Sequence, residues 1–74
     1  MNEAMLLGIV KFARGLDPAA AVDPVEEWDS LDHLTILAKL YEIHGPGIDA
    51  VEGIAEINNL GALEEKLRGA GILE

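Results

Sequence analysis

At 74 residues the chain makes one small domain (1–74), near the lower limit at which a core holds a fold unaided, and without cysteine it has no disulfide, thiolate metal site or cysteine nucleophile. Five basic residues against fourteen acidic ones leave a formal net charge of −9, which opposes binding to nucleic acid or to an anionic membrane surface and favours basic patches on partner proteins. Half of the residues are hydrophobic, yet Phe, Trp and Tyr occur once each, so the core is expected to be built from Leu, Ile, Val and Ala.

The first apolar stretch, Ala4 to Leu7, is too short to span a membrane, and the acidic Glu3 ahead of it is wrong for a secretory leader. The expected location is the cytoplasm. Glu3 to Arg14 carries Met5, Leu6, Ile9, Val10, Phe12 and Ala13 at helical spacing, and Gly15 and Pro18 end the pattern, so the first helix is predicted there. Leu16 to Trp28 holds two Asp-Pro pairs, Asp17-Pro18 and Asp23-Pro24, which bias the preceding residues away from helix. This reads as a long connection packed by Leu16, Val22, Val25 and Trp28, and long loops inside small domains are usually functional or disordered.

A second helix is predicted from about Ser30 to His44, ended by Gly45-Pro46-Gly47. Val51 to Ile57 has room for a short helix only, and Asn58-Asn59 offers caps for a last helix from Leu60 to about Arg68, ended by Gly69 and Gly71. Four helices with no strand candidate give an all-α fold, a small four-helix bundle of three longer helices and one short one. No repeat or low-complexity tract interrupts it.

On a wheel of about 100° per residue, Asp32, Thr35, Lys39 and Glu42 share one sector of the second helix. Nearly everything else is apolar, over an arc of about 240°. Ile36, Leu37, Leu40 and Ile43 suit packing against the first and last helices, while Leu31, Leu34 and Ala38 lie to one side, next to Ser30. A bundle helix seldom buries so wide an arc, so this stripe is either a docking surface or the place where Trp28 and the short helix pack.

Trp28-Asp29-Ser30-Leu31-Asp32 puts one serine where the punctuated loop becomes that helix. A helix start presents unpartnered N–H groups and the positive end of the helix dipole, a field that suits a phosphate ester. Ser and Asp are equally the usual N-cap residues, so Asp29 or Ser30 is also explained as a cap. His33 and His44, eleven positions apart, share no metal-ligand spacing. Ser30 has His33 one turn on, but no orienting acid or oxyanion site accompanies the pair, so no catalysis by the chain itself is expected.

Glu26-Glu27-Trp28-Asp29-Ser30-Leu31-Asp32-His33-Leu34 resembles the Asp-Ser-Leu signature of acyl carrier proteins. Leu16-Asp17-Pro18 resembles that family's loop after its first helix, and Asn59-Leu60-Gly61-Ala62-Leu63 is similar to the Thr-Val-Gly-Asp-Leu that opens its last. The motifs are short, but helix order, acidic balance, length and the place of the serine agree along the whole chain.

The resemblance implies a carrier that is not itself an enzyme. Ser30 would bear 4′-phosphopantetheine, transferred from coenzyme A by a phosphopantetheinyl transferase, and acyl groups would ride as thioesters on its thiol. It further implies that Asp29, Leu31 and Asp32 flank the arm and that Leu34, Ala38, Ile48 and Ile54 form the apolar part of a surface read by acyl-loading and acyl-processing enzymes with basic patches, the carrier itself being a monomer. For each of these the plain alternative is a capping carboxylate, an acidic first turn or a core aliphatic.

Three departures from the family stand out. Thr35, Lys39 and Tyr41 occupy much of a helix face that is usually rich in Glu, His44 stands where a buried Phe commonly ends the helix, and Ala62 replaces an Asp. Charge steering across the second helix would be weakened, which points to a dedicated carrier in specialised biosynthesis, fatty acid-like or polyketide, ahead of the general one. An aminoacyl or peptidyl carrier is the alternative within the class, although those more often show Gly-Gly before the motif. An unmodified helical interaction module using Leu31, Leu34 and Ala38 is the alternative outside it.

Overall fold

The computed structural model describes all residues, 1–74, and is helical throughout, with no strand. Helix α1 spans Glu3–Arg14, α2 spans Ser30–His44 and α3 spans Leu60–Gly69. Each starts where a short polar side chain relieves an orphan amide: Asn2 accepts from Met5 N–H, Asp29 from Asp32 N–H and Asn59 from Ala62 N–H. Helix α1 stops at Gly15, whose φ of 68° lies in the left-handed region that favours glycine; Leu16 N–H then closes back on Lys11 O at 2.9 Å. No helix is long and apolar enough to cross a membrane.

The segment between α2 and α3 differs from the expected short helix over Val51 to Ile57. It holds two 3-10 turns, Pro46–Ala50 and Ile54–Glu56, separated by Gly53 at φ 78°. Glycines in positive φ at Gly45 and Gly53 bracket the first turn and leave room for less than two turns of α-helix between them, too little to be stable as a regular helix. The architecture is thus a small bundle of three α-helices, with two tight turns between α2 and α3 where a short helix was expected.

Fifteen buried hydrophobic residues form one core, aliphatic except for Trp28. Leu6, Ile9 and Val10 of α1, Ile36 and Leu40 of α2, and Leu60, Leu63 and Leu67 of α3 meet there, and Ile48, Val51, Ile54 and Ile57 close it from the turns. Ile72 and Leu73 complete it, because the chain after α3 folds back: Glu74 N–H donates to Met1 O (2.9 Å) and Met1 N to Ile72 O (3.1 Å).

The long connection is ordered by its own aspartates. Asp17 accepts from Ala19 N–H and Asp23 from Val25 N–H, the local bond an aspartate makes in a turn. Its far end is held across the molecule, with Trp28 N–H donating to Asn58 O (2.8 Å) and Gly61 N–H to Pro24 O (2.9 Å). A Cβ on Gly61 would stand 3.2 Å from that same oxygen, a contact that would push the Pro24 carbonyl away by a few tenths of an ångström. Trp28 is buried and Val22 packs on the core, but Val25, expected to pack, is 76 % exposed.

Candidate functional site

Ser30 is the first residue of α2 and is exposed. The capping alternative resolves in favour of its neighbour: Asp29 Oδ1 accepts from Asp32 N–H at 2.8 Å and Asp29 O from His33 N–H at 3.0 Å. The Ser30 hydroxyl takes no part in the hydrogen bonding of the chain, and the N–H groups of Ser30 and Leu31 have no acceptor within it. A free hydroxyl therefore sits among unsatisfied donors at the positive end of a fifteen-residue helix.

Beside it lies a cleft of about 340 Å³, walled by the first turns of α2 on one side and by Ala55 to Asn58 on the other. Ser30 stands on the cleft with Trp28, Leu34, Leu37 and Ile57. Its carboxylates are Asp29 and Glu56, so a free anion in solution has little reason to settle here, whereas a phosphate held by a covalent bond would meet the helix amides.

His33 gives this cleft a fixed wall. It is 5 % exposed, the only buried polar side chain, and it bridges two segments. The indole N–H of Trp28 donates to Nδ1 at 3.0 Å, and Nε2 stands 2.7 Å from Ile54 O. An indole nitrogen only donates, so Nδ1 must be the acceptor, and the imidazole is the neutral tautomer whose Nε2–H donates to the Ile54 carbonyl. The two rings lie 19° from parallel with centroids 5.9 Å apart, which together with the ring-to-ring bond describes an edge-to-edge pair. The loop end, the first turn of α2 and the second 3-10 turn are thereby tied at one point. The composition gives no sign of this role; the Trp28 to His33 spacing of five residues across a helix start is the only sequence signal.

The remaining expected surface residues divide. Leu31 and Leu34 are 72 % and 61 % exposed, Ala38 is exposed and Asp32 half-buried, so the stripe beside Ser30 faces outward and is not covered by Trp28 or the turns. Ile48 and Ile54, expected on the same surface, point into the core instead, at 1 % and 7 % exposure; the two 3-10 turns rotate them inward, where an α-helix over Val51 to Ile57 would have placed the segment differently. Ile43, expected to pack, is 49 % exposed on the side of α2 that faces α1. His44 is exposed at the end of α2, near Gly47. Comparison of the chain with protein-family models, with curated proteins and with solved structures gives no match.

Proposed function

We propose that the chain is an acyl carrier protein, modified on Ser30 by 4′-phosphopantetheine and serving enzymes of fatty acid-like, polyketide or related specialised biosynthesis. The observation that carries this reading is the exposed Ser30 hydroxyl, left without a structural task because Asp29 does the capping. The signature around it, Trp28-Asp29-Ser30-Leu31, supplies the resemblance.

The residues present fit such a group. In the modification, Ser30 Oγ attacks the phosphorus of coenzyme A that bears the pantetheine; the bond to 3′,5′-ADP breaks, and the serine proton passes to a base of the transferase. The free Ser30 and Leu31 N–H groups would face the resulting phosphodiester. The arm supplies a thiol that carries acyl groups as thioesters, and with no cysteine the chain has no competing thiol of its own. Leu31, Leu34 and Ala38 offer apolar contact to enzymes, Asp29 and Asp32 offer charge to their basic patches, and His33 keeps the cleft wall in place.

The test is intact mass before and after incubation with coenzyme A and a broad-specificity phosphopantetheinyl transferase, with Ser30→Ala as control. One added phosphopantetheine, absent in the control, is expected. A folded wild-type protein left unmodified by several transferases would overturn the reading. The exposure of Leu31 and Leu34 would then favour the second reading, an unmodified interaction module that binds through that stripe.

A further inference from the structure

A second surface lies on α1, away from Ser30, and nothing in the carrier reading uses it. Two open hollows of about 470 and 320 Å³ share Gly8 and Phe12. The first continues over Leu7, Lys11 and Leu16, and the second over Met5, Ile43 and Lys39. Phe12 is 64 % exposed, Ile43 49 % and Met5 45 %, so large side chains stand on the surface here rather than in the core. Gly8 makes the saddle between them: a Cβ at this position would meet nothing within 4 Å. A glycine in mid-helix lowers helix stability, yet it lets another backbone come close.

The charge of this surface runs against the rest of the molecule. With fourteen acidic side chains and five basic ones in the chain, no carboxylate lines either hollow, whereas Lys11 and Lys39 stand at one each. Lys11 Nζ donates to Pro18 O, a neutral partner that leaves its charge in place. Lys39 Nζ lies 5.0 Å from the centre of the Phe12 ring and 3.7 Å from Glu42, an exposed pair worth little. Apolar floor and cationic rim together are complementary to an amphipathic helix flanked by carboxylates.

From this we propose that the α1 surface between Lys11 and Lys39 is a docking site for an acidic amphipathic helix of another protein. The helix lies across Gly8 with its apolar side chains on either side of Phe12, and its carboxylates meet the two lysines. Helix α1 has twelve residues, about 18 Å of axis, so about three turns of partner are accommodated. A second copy of this chain is a poor occupant, since the same surface on the other copy offers lysines and no carboxylate to pair with Lys11 and Lys39, and each molecule carries a net charge of −9. Lys39 is nine residues beyond Ser30, about 13 Å along α2, so the two surfaces serve different partners: acidic helices on α1, basic patches beside Ser30.

The experiment is an NMR titration of the isotope-labelled full chain with a synthetic helical peptide bearing Leu on one face and Glu on its flanks, alongside the same peptide with Lys for Glu. The Glu peptide is expected to shift the amides of Ala4, Gly8, Phe12, Lys39 and Ile43, and the Lys peptide to bind that surface about tenfold more weakly or worse. Gly8→Glu, which has room for its side chain, and Phe12→Ala, which removes an exposed ring, should each keep the dispersed spectrum of the folded chain and lose about tenfold in affinity for the Glu peptide. Ser30→Ala should bind as the wild type does. Absence of binding, equal binding of both peptides, or shifts confined to Leu31 and Leu34 would overturn the proposal. So would a concentration-dependent dimer abolished by Gly8→Glu, which would make the occupant a second copy.

Discussion

Replacing His33 by Ala tests whether the Trp28–His33–Ile54 relay holds the cleft together. The substitution leaves the Trp28 indole N–H without an acceptor and the Ile54 carbonyl without a donor, both in a part of the molecule where His33 is 5 % and Trp28 6 % exposed. Each buried group deprived of its partner costs about 1–3 kcal/mol. The neighbouring cleft lets water reach part of the gap, so the low half of the combined range, about 2–4 kcal/mol, is expected. A domain of this size is stable by about 4–11 kcal/mol, so a loss of this size is a substantial part of the total.

Urea unfolding followed by circular dichroism and by emission of Trp28, the only tryptophan, measures the loss directly. With a slope of about 1 kcal/mol per molar urea, the midpoint should fall by about 2 M or more. The double substitution with Trp28→Phe isolates the bond, and the coupling between the two sites should be about 1 kcal/mol or more. A loss below about 0.5 kcal/mol, or additive effects of the two substitutions, would refute the assignment of the relay as a structural clamp.

Asp29→Ala removes the cap of α2 and should cost about 0.5–2 kcal/mol in the same urea assay while leaving the Ser30 hydroxyl chemically intact. If the carrier reading holds, its modification by the transferase slows without being abolished, as followed by intact mass over time. Leu73→Ala removes a core side chain that is 3 % exposed and should cost about 2–5 kcal/mol; hydrogen exchange should show earlier opening of α3 and of the Met1 to Glu74 pairing.

The division between chain and fold can be followed residue by residue. Helices α1, α2 and α3 were legible because each pairs an apolar period with punctuation that acts locally: Gly15 and Pro18 after α1, Asp29 or Ser30 before α2 and Gly45 after it, Asn59 before α3 and the glycines after Arg68. A cap satisfies amides within four residues of itself, so its meaning survives without knowledge of the rest of the molecule. The apolar arc of about 240° on α2 was legible for a similar reason, but it left open whether Leu31, Leu34 and Ala38 face outward or lie under Trp28 and the turns; the fold leaves them exposed.

What depended on distant partners was not. Val51 to Ile57 has helical composition, but glycines in positive φ and the demand that Ile48, Ile54 and Ile57 all reach the core favour 3-10 turns over a regular helix. His33 looks from the sequence like a first-turn residue of no particular role; only the folding of the loop over α2 brings the Trp28 indole to one ring nitrogen and the Ile54 carbonyl to the other. Val25 and Ile43 are as apolar as Val22 and Ile36, and nothing local distinguishes them; burial falls to whichever side chain faces the axis where three helices converge. The sequence by itself determined the helices, their ends and a serine at a helix start, because those follow from hydrogen bonds closed within a few residues. The tertiary structure alone decided that His33 clamps the cleft and that Gly8 and Phe12 open a cationic groove in an acidic chain, because each of these is a relation between atoms that only the packed fold brings together.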